Sequence, residues 1–138
     1  MFAIIVAVLA AASLQACGSS TAGLTHVKMC NDADGEGMCS FNNSTFSTSD
    51  KEIYLSADLE NVSDGMKVNA TWSSLREPPD GSPQVLSSFT SDISDNGSFP
   101  YHTYLSAPET GWPTGDYEVT LTLTIDNSEP VTKKFSIE

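Results

Sequence analysis

The chain has 138 residues, with 6 basic against 18 acidic side chains, a formal net charge of −12 and a pI near 4.2. Nucleic-acid phosphates and anionic lipid headgroups repel a surface this acidic, which excludes both as partners recognised by charge. Acidity of this degree is more often a solubility trait, or an adaptation to salt, than a cation-binding surface.

The apolar run from Phe2 to Ala12 is eleven residues long, too short to cross a bilayer core of roughly 30 Å and suited to the h-region of an export signal. It is followed by Leu14-Gln15-Ala16-Cys17, and the whole resembles a bacterial lipoprotein signal with its lipobox. That resemblance implies cleavage after Ala16, lipid on Cys17 and a membrane home. An ordinary secretory signal cut at the same place is the competing reading. Gly18 in place of Asp after the lipidated cysteine implies the outer membrane where the host has two. No Lys or Arg precedes Cys17, so a start codon a few residues upstream is expected. Two or three acyl chains, at about 0.8 kcal/mol per buried methylene, make such an anchor effectively permanent. Residues 1–16 are therefore read as the signal, and 17–23, small and uncharged, as a flexible tether.

Residues 24–138, about 115 in number, suffice for one domain and not two. A weak strand is expected over Leu24 to Met29. Next come Cys30 and Cys39, with eight residues between them, expected to pair as a disulfide in an exported chain. Closing that loop contributes roughly 2.5 to 3 kcal/mol on the chain-entropy view. Metal-binding thiolates are the weaker alternative, since a zinc site would lack further cysteines and the chain has only His26 and His102. Within the loop, Asp32, Asp34 and Glu36 alternate with Ala33 and Gly35, a spacing that suits calcium. The match to an EF-hand is partial: Glu36 stands where Asp or Asn is wanted, Asn43 where Glu is wanted. A solvated acidic hairpin tip is the alternative.

Beyond the loop the pattern is alternation. Ile53, Leu55, Ala57 and Leu59 share one face of a strand; so do Met66, Val68, Ala70 and Trp72, then Phe99, Tyr101, Thr103 and Leu105, then Tyr117, Val119, Leu121, Leu123 and Ile125. Weaker or final strands are expected at Gln84 to Phe89 and Val131 to Ile137. Ser63-Asp64-Gly65, Pro78-Pro79-Asp80-Gly81, Asp95-Asn96-Gly97 and Asp126-Asn127-Ser128 supply the turns. Seven or so short strands with regular turns predict an all-β, antiparallel sandwich.

Residues 111 to 119 refine the fold. Trp112, Pro113, Gly115 and Tyr117 lead into the best strand in a pattern similar to the tyrosine corner of immunoglobulin-like and fibronectin type III domains, and Trp72 looks like their core tryptophan. The resemblance implies that the Tyr117 hydroxyl bonds back to nearby backbone. Neither the Ile53 strand nor the Tyr117 strand holds a cysteine, so the antibody-type inter-sheet disulfide is absent. From about residue 45 to 138 the chain also resembles a group of small bacterial envelope proteins of unknown function, which brings a fold but no activity.

Chemistry is sparse. There is no Gly-x-Ser-x-Gly elbow, the cysteines are engaged and His102 lies opposite the core face, so no catalytic residues are assigned and an enzyme is not expected. Trp112, Tyr101 and Tyr104 offer either an aromatic platform for a sugar or peptide, or core filling. Sequons at Asn42, Asn43, Asn61, Asn69 and Asn96 are read as chance in a chain rich in Ser, Thr and Asn. The expectation is a lipid-anchored, non-catalytic module with an unidentified envelope protein as partner and no required cofactor. Its rival is a small-ligand or calcium-binding lipoprotein.

Overall fold

A computed structural model describes residues 22–75, 83–124 and 129–138. The signal segment, Cys17, most of the tether, Ile125 and the turns at 78–81 and 126–128 lie outside the described residues. The strands are β1 (Gly23–Cys30), β2 (Thr45–Phe46), β3 (Glu52–Val62), β4 (Lys67–Ser74), β5 (Gln84–Asp92), β6 (Gly97–Ser106), β7 (Gly115–Leu123) and β8 (Val131–Ile137). They form a three-stranded sheet in the order β1-β3-β6 and a five-stranded sheet in the order β2-β8-β7-β4-β5. The fold is the expected all-β immunoglobulin-like sandwich. No described helix is long and apolar enough to cross a membrane.

Alternation decides which face of each strand is inside. Ile53, Leu55, Ala57 and Leu59 of β3, Val68, Ala70 and Trp72 of β4, and Val119, Leu121 and Leu123 of β7 are all buried, while the intervening residues are mostly half-exposed. Each fully buried Leu, Ile or Val adds about 1.5 to 3 kcal/mol of apolar burial, so a one-residue slip of β3 would expose its whole core set.

Turn chemistry fixes the ends. Gly65 sits at φ 91°, a conformation that favours glycine. The Asp64 N–H donates to Asn96 Oδ1 at 3.0 Å, so the turns at 63–65 and 95–97 are stitched to each other.

Two departures from the sequence reading matter. The first is β2, which pairs parallel to β8, with Thr45 opposite Ser136 and Phe46 opposite Ile137. At two residues it has no periodicity to detect. The second is β5, which continues three residues past Phe89 to Asp92 and forms the outer edge of the larger sheet.

Candidate functional site

The two sheets differ in width, and the difference leaves one side of the sandwich open. β5 edges the five-stranded sheet and β6 edges the three-stranded one, and among the described residues no strand beside β6 covers the inner face of β5. The pairing Val68↔Ser91, Ala70↔Phe89 and Trp72↔Ser87 puts Phe89 on the core-facing side of β5, yet Phe89 is 41% exposed. Between Phe89 and Ser91 on one wall and Tyr101 to Ser106 on the other lies an open groove of about 520 Å³. Tyr104, in the groove's lining, and Val85 and Leu86, further along β5, are also exposed. No charged residue occurs from Gln84 to Ser91. Natural edge strands usually carry Lys, Pro or a bulge against unwanted pairing. On β6 that role falls to Pro100, which cannot donate to a new strand, whereas the stretch beyond it is the part that lines the groove.

The disulfide loop covers the outer face of the three-stranded sheet. Cys30 and Cys39 are bonded, with Cα atoms 5.7 Å apart, and both are buried. The Cys39 N–H donates to Ser56 Oγ at 3.0 Å, fastening the loop to β3. Gly37, at φ 80°, lies flat on the His102 ring; a Cβ there would come within 2.5 Å of it. His102 is exposed on the outer face, as its parity requires.

The carboxylates of this loop do not converge. Asp34 Oδ1 accepts from the N–H groups of Glu36 and Met38, each at 2.9 Å, and these backbone donors hold its carboxyl below the ordinary carboxylate value. Asp34 thus caps its own turn. Asp32, Asp34 and Glu36 do not form a group with ligand atoms within 4.8 Å of one another. The spacing that suits calcium thus does not gather the three carboxylates here: alternate positions in a tight turn send one carboxylate to the backbone and leave its neighbours in solvent.

The corner is a packed end-plug. The Tyr117 hydroxyl donates to the Pro113 carbonyl at 2.5 Å, and Gly115 opens the strand at φ 143°. Trp112 is 5% exposed, and its Nε1 donates to the Asp50 carbonyl at 2.7 Å. Tyr117 stacks on Phe135 at 5.4 Å, with Trp72, Phe46 and Trp112 edge-on around the pair. Trp72 is fully buried, and its Nε1 has no hydrogen-bond partner among the described residues. Trp112, Tyr101 and Tyr104, for which a platform and core filling were the two alternatives, do not share one surface. Trp112 and Tyr101 are interior, and burial raises the Tyr101 phenol pKa; only Tyr104 faces solvent. It packs against Tyr54 at 5.5 Å, whose phenol, donating to Glu52, is pushed up to about 12.

One cluster escaped the sequence altogether. His26, Asp58 and Glu60 bring one ligand atom each to within 4.8 Å of one another, the only such group among the described residues. His26 had no legible role because a bulge, not spacing, places it. The exposed edge residues Val85, Leu86 and Phe89 did have a signal, the absence of charge along β5.

No family model and no curated protein matches the chain. Among solved structures, it is similar to a Niemann-Pick type C2 protein from the Japanese carpenter ant, at 13% identity and a TM-score of 0.51, over 88% of this chain and 96% of that one. A β-glucosidase from Listeria innocua matches 85% of this chain at 9% identity and a TM-score of 0.49; the chain spans 16% of that enzyme's length. The CARDB domain of a Pyrococcus furiosus protein, solved with di-metal ions, matches 84% of this chain and 93% of its own at 12% identity and a TM-score of 0.48. At such identities the likeness is one of fold, and the fold the chain shares with the first of these is an immunoglobulin-like all-β sandwich.

Proposed function

We propose that this protein is a non-catalytic contact module, tethered to the cell-envelope membrane through lipid on Cys17, that engages an envelope protein along the open side between β5 and β6. The observation that carries the contact role is the uncharged edge of β5, with Val85, Leu86 and Phe89 exposed on it: in a chain of net charge −12, a strand from Gln84 to Ser91 without a single charge is the place least repelled by another protein. Unpaired backbone groups along such an edge accept a partner's strand, and alternate side chains set the register. The anchor rests on the lipobox resemblance and the small, uncharged tether.

Both parts are testable in the native envelope. A photo-crosslinking residue at Phe89 should yield a reproducible covalent adduct with one protein, and the same residue at exposed Thr132 on β8 should not. Equal adducts at the two positions, or none at either, overturn the contact site. Labelled palmitate should enter the expressed product and be lost in Cys17→Ser; label in neither protein removes the anchor.

A second reading has one observation in its favour. The groove volume of about 520 Å³ lies in the range of small-molecule sites, about 300 to 1,000 Å³. A small apolar ligand there would shield Phe89 without any protein adduct, so the same crosslinking experiment separates the two.

A further inference from the structure

We propose that His26, Asp58 and Glu60 form a binding site for a divalent first-row transition ion of the zinc type, on the outer face of the three-stranded sheet. Strand parity sets two of the ligands. Asp58 and Glu60 are two apart on β3 and leave the sheet on the same side, with buried Leu59 between them facing the core. The third ligand is placed by a bulge. Thr25 pairs with Asp58 and Lys28 with Ser56, so His26 and Val27 together oppose Ala57. In a regular strand His26 would take the face opposite Thr25; with φ 51° the bulge swings its imidazole to the Asp58 side, a re-aiming for which β-bulges are known.

The resulting geometry is close to a coordination shell. His26 Nδ1 lies 3.0 Å from Asp58 Oδ2. Ligand bonds of about 2.0 to 2.2 Å place the donors of a tetrahedral ion roughly 3.4 Å apart; all three donor atoms already lie within 4.8 Å of one another, so modest side-chain rotations close the shell. Glu60 is already steered. Thr25 Oγ1 donates to its Oε1 at 3.1 Å, and Ser98 Oγ to its Oε2 at 3.4 Å, the kind of outer-shell support that orients metal ligands.

Charge and donor type then choose the ion. Among the described residues the ion pairs are His26–Asp58 and Lys67–Asp92, so neither Asp58 nor Glu60 has a Lys or Arg beside it. Two adjacent carboxylates in a strongly acidic chain are relieved by a cation. An imidazole nitrogen among the donors favours zinc, copper or nickel over calcium, which takes six to eight oxygens. This separates the cluster from the acidic loop, where Asp34 is spent on backbone. Three protein ligands on an exposed face leave a coordination position open to solvent.

Calorimetric titration of ZnCl2 into the full chain in detergent tests the site, with visible absorption of the Co2+ form as a second readout. One ion per chain is expected. His26→Asn keeps a side chain that tolerates positive φ and should weaken zinc by tenfold or more, as should Glu60→Gln, while Asp34→Asn should leave it within twofold. Thr25→Val should cost about tenfold if its hydroxyl orients Glu60. Thermal melts verify that each variant is folded. No zinc heat with the wild type, or equal affinity in folded His26→Asn and Glu60→Gln, overturns the proposal. A response to calcium but not zinc overturns it as well.

Discussion

Tyr117 shows how a single side chain ties sequence to fold. Its hydroxyl reaches the carbonyl of Pro113, four residues upstream, while its ring is 2% exposed and stacked on Phe135. Tyr117→Phe keeps the stacking and leaves the Pro113 carbonyl without that donor. A hydrogen bond of this kind is worth roughly 0.5 to 1.5 kcal/mol net, more when its partner is left buried, so the variant should unfold about 1 to 2 kcal/mol more easily in urea with an unchanged slope. A variant as stable as the wild type would mean that the corner is held by packing alone. The corner was legible in the sequence because its bond is local. For Trp112, in the same motif, the neighbouring Pro113 favours a plug at the corner, but its partner is the Asp50 carbonyl, 62 residues away, and no local pattern names so distant an acceptor.

The disulfide loop makes the same point at the scale of an element. Its closure by Cys30 and Cys39 follows from counting cysteines, but its electrostatic role does not, because spacing cannot say whether a carboxylate turns toward backbone or toward a common centre. Asp34 turns toward backbone, and the Met38 and Glu36 N–H groups hold its pKa below the ordinary carboxylate value. The sign follows directly. A carboxyl with a depressed folded pKa stabilises the loop fully above its unfolded pKa, and the contribution is lost as pH falls through the lower, folded value. Amide exchange at Glu36 and Met38 should therefore gain protection relative to Asp34→Asn at neutral pH, and the difference should shrink as pH falls past the ordinary carboxyl range and vanish only in stronger acid, below the depressed folded value. A difference that persists unchanged into strong acid would show that the disulfide alone orders the turn. Similar limits explain the other omissions. The long strands β3, β4, β6 and β7 announce themselves by period two, whereas β2 exists only through its parallel contact with residues 136 and 137. His26 reaches Asp58 only through a register shift, which leaves no mark in the local composition.

The whole molecule joins a strongly charged body to an uncharged edge. Acidic residues outnumber basic ones by 12, yet Gln84 to Ser91 carries none; on β5 the charge resumes at Asp92, which is paired with Lys67. Local protection of the strand is thus weak, and mutual repulsion between chains takes its place. Such protection is as strong as the solution permits, since the Debye length falls from about 30 Å at 0.01 M salt to about 3 Å at 1 M. A chain that cannot carry the proposed lipid, made as Cys17→Ser lacking residues 1–16, should sediment as a monomer in low salt and associate as sodium chloride approaches 1 M. Phe89→Lys places one charge in the middle of β5, where its side chain would face that of a paired strand, and should keep the protein monomeric throughout. Were both proteins to associate alike, the attraction would lie elsewhere on the surface. A partner that docks on β5 would be held by apolar contact and strand pairing, so its grip should weaken little with salt, unlike that of a partner drawn by the acidic faces.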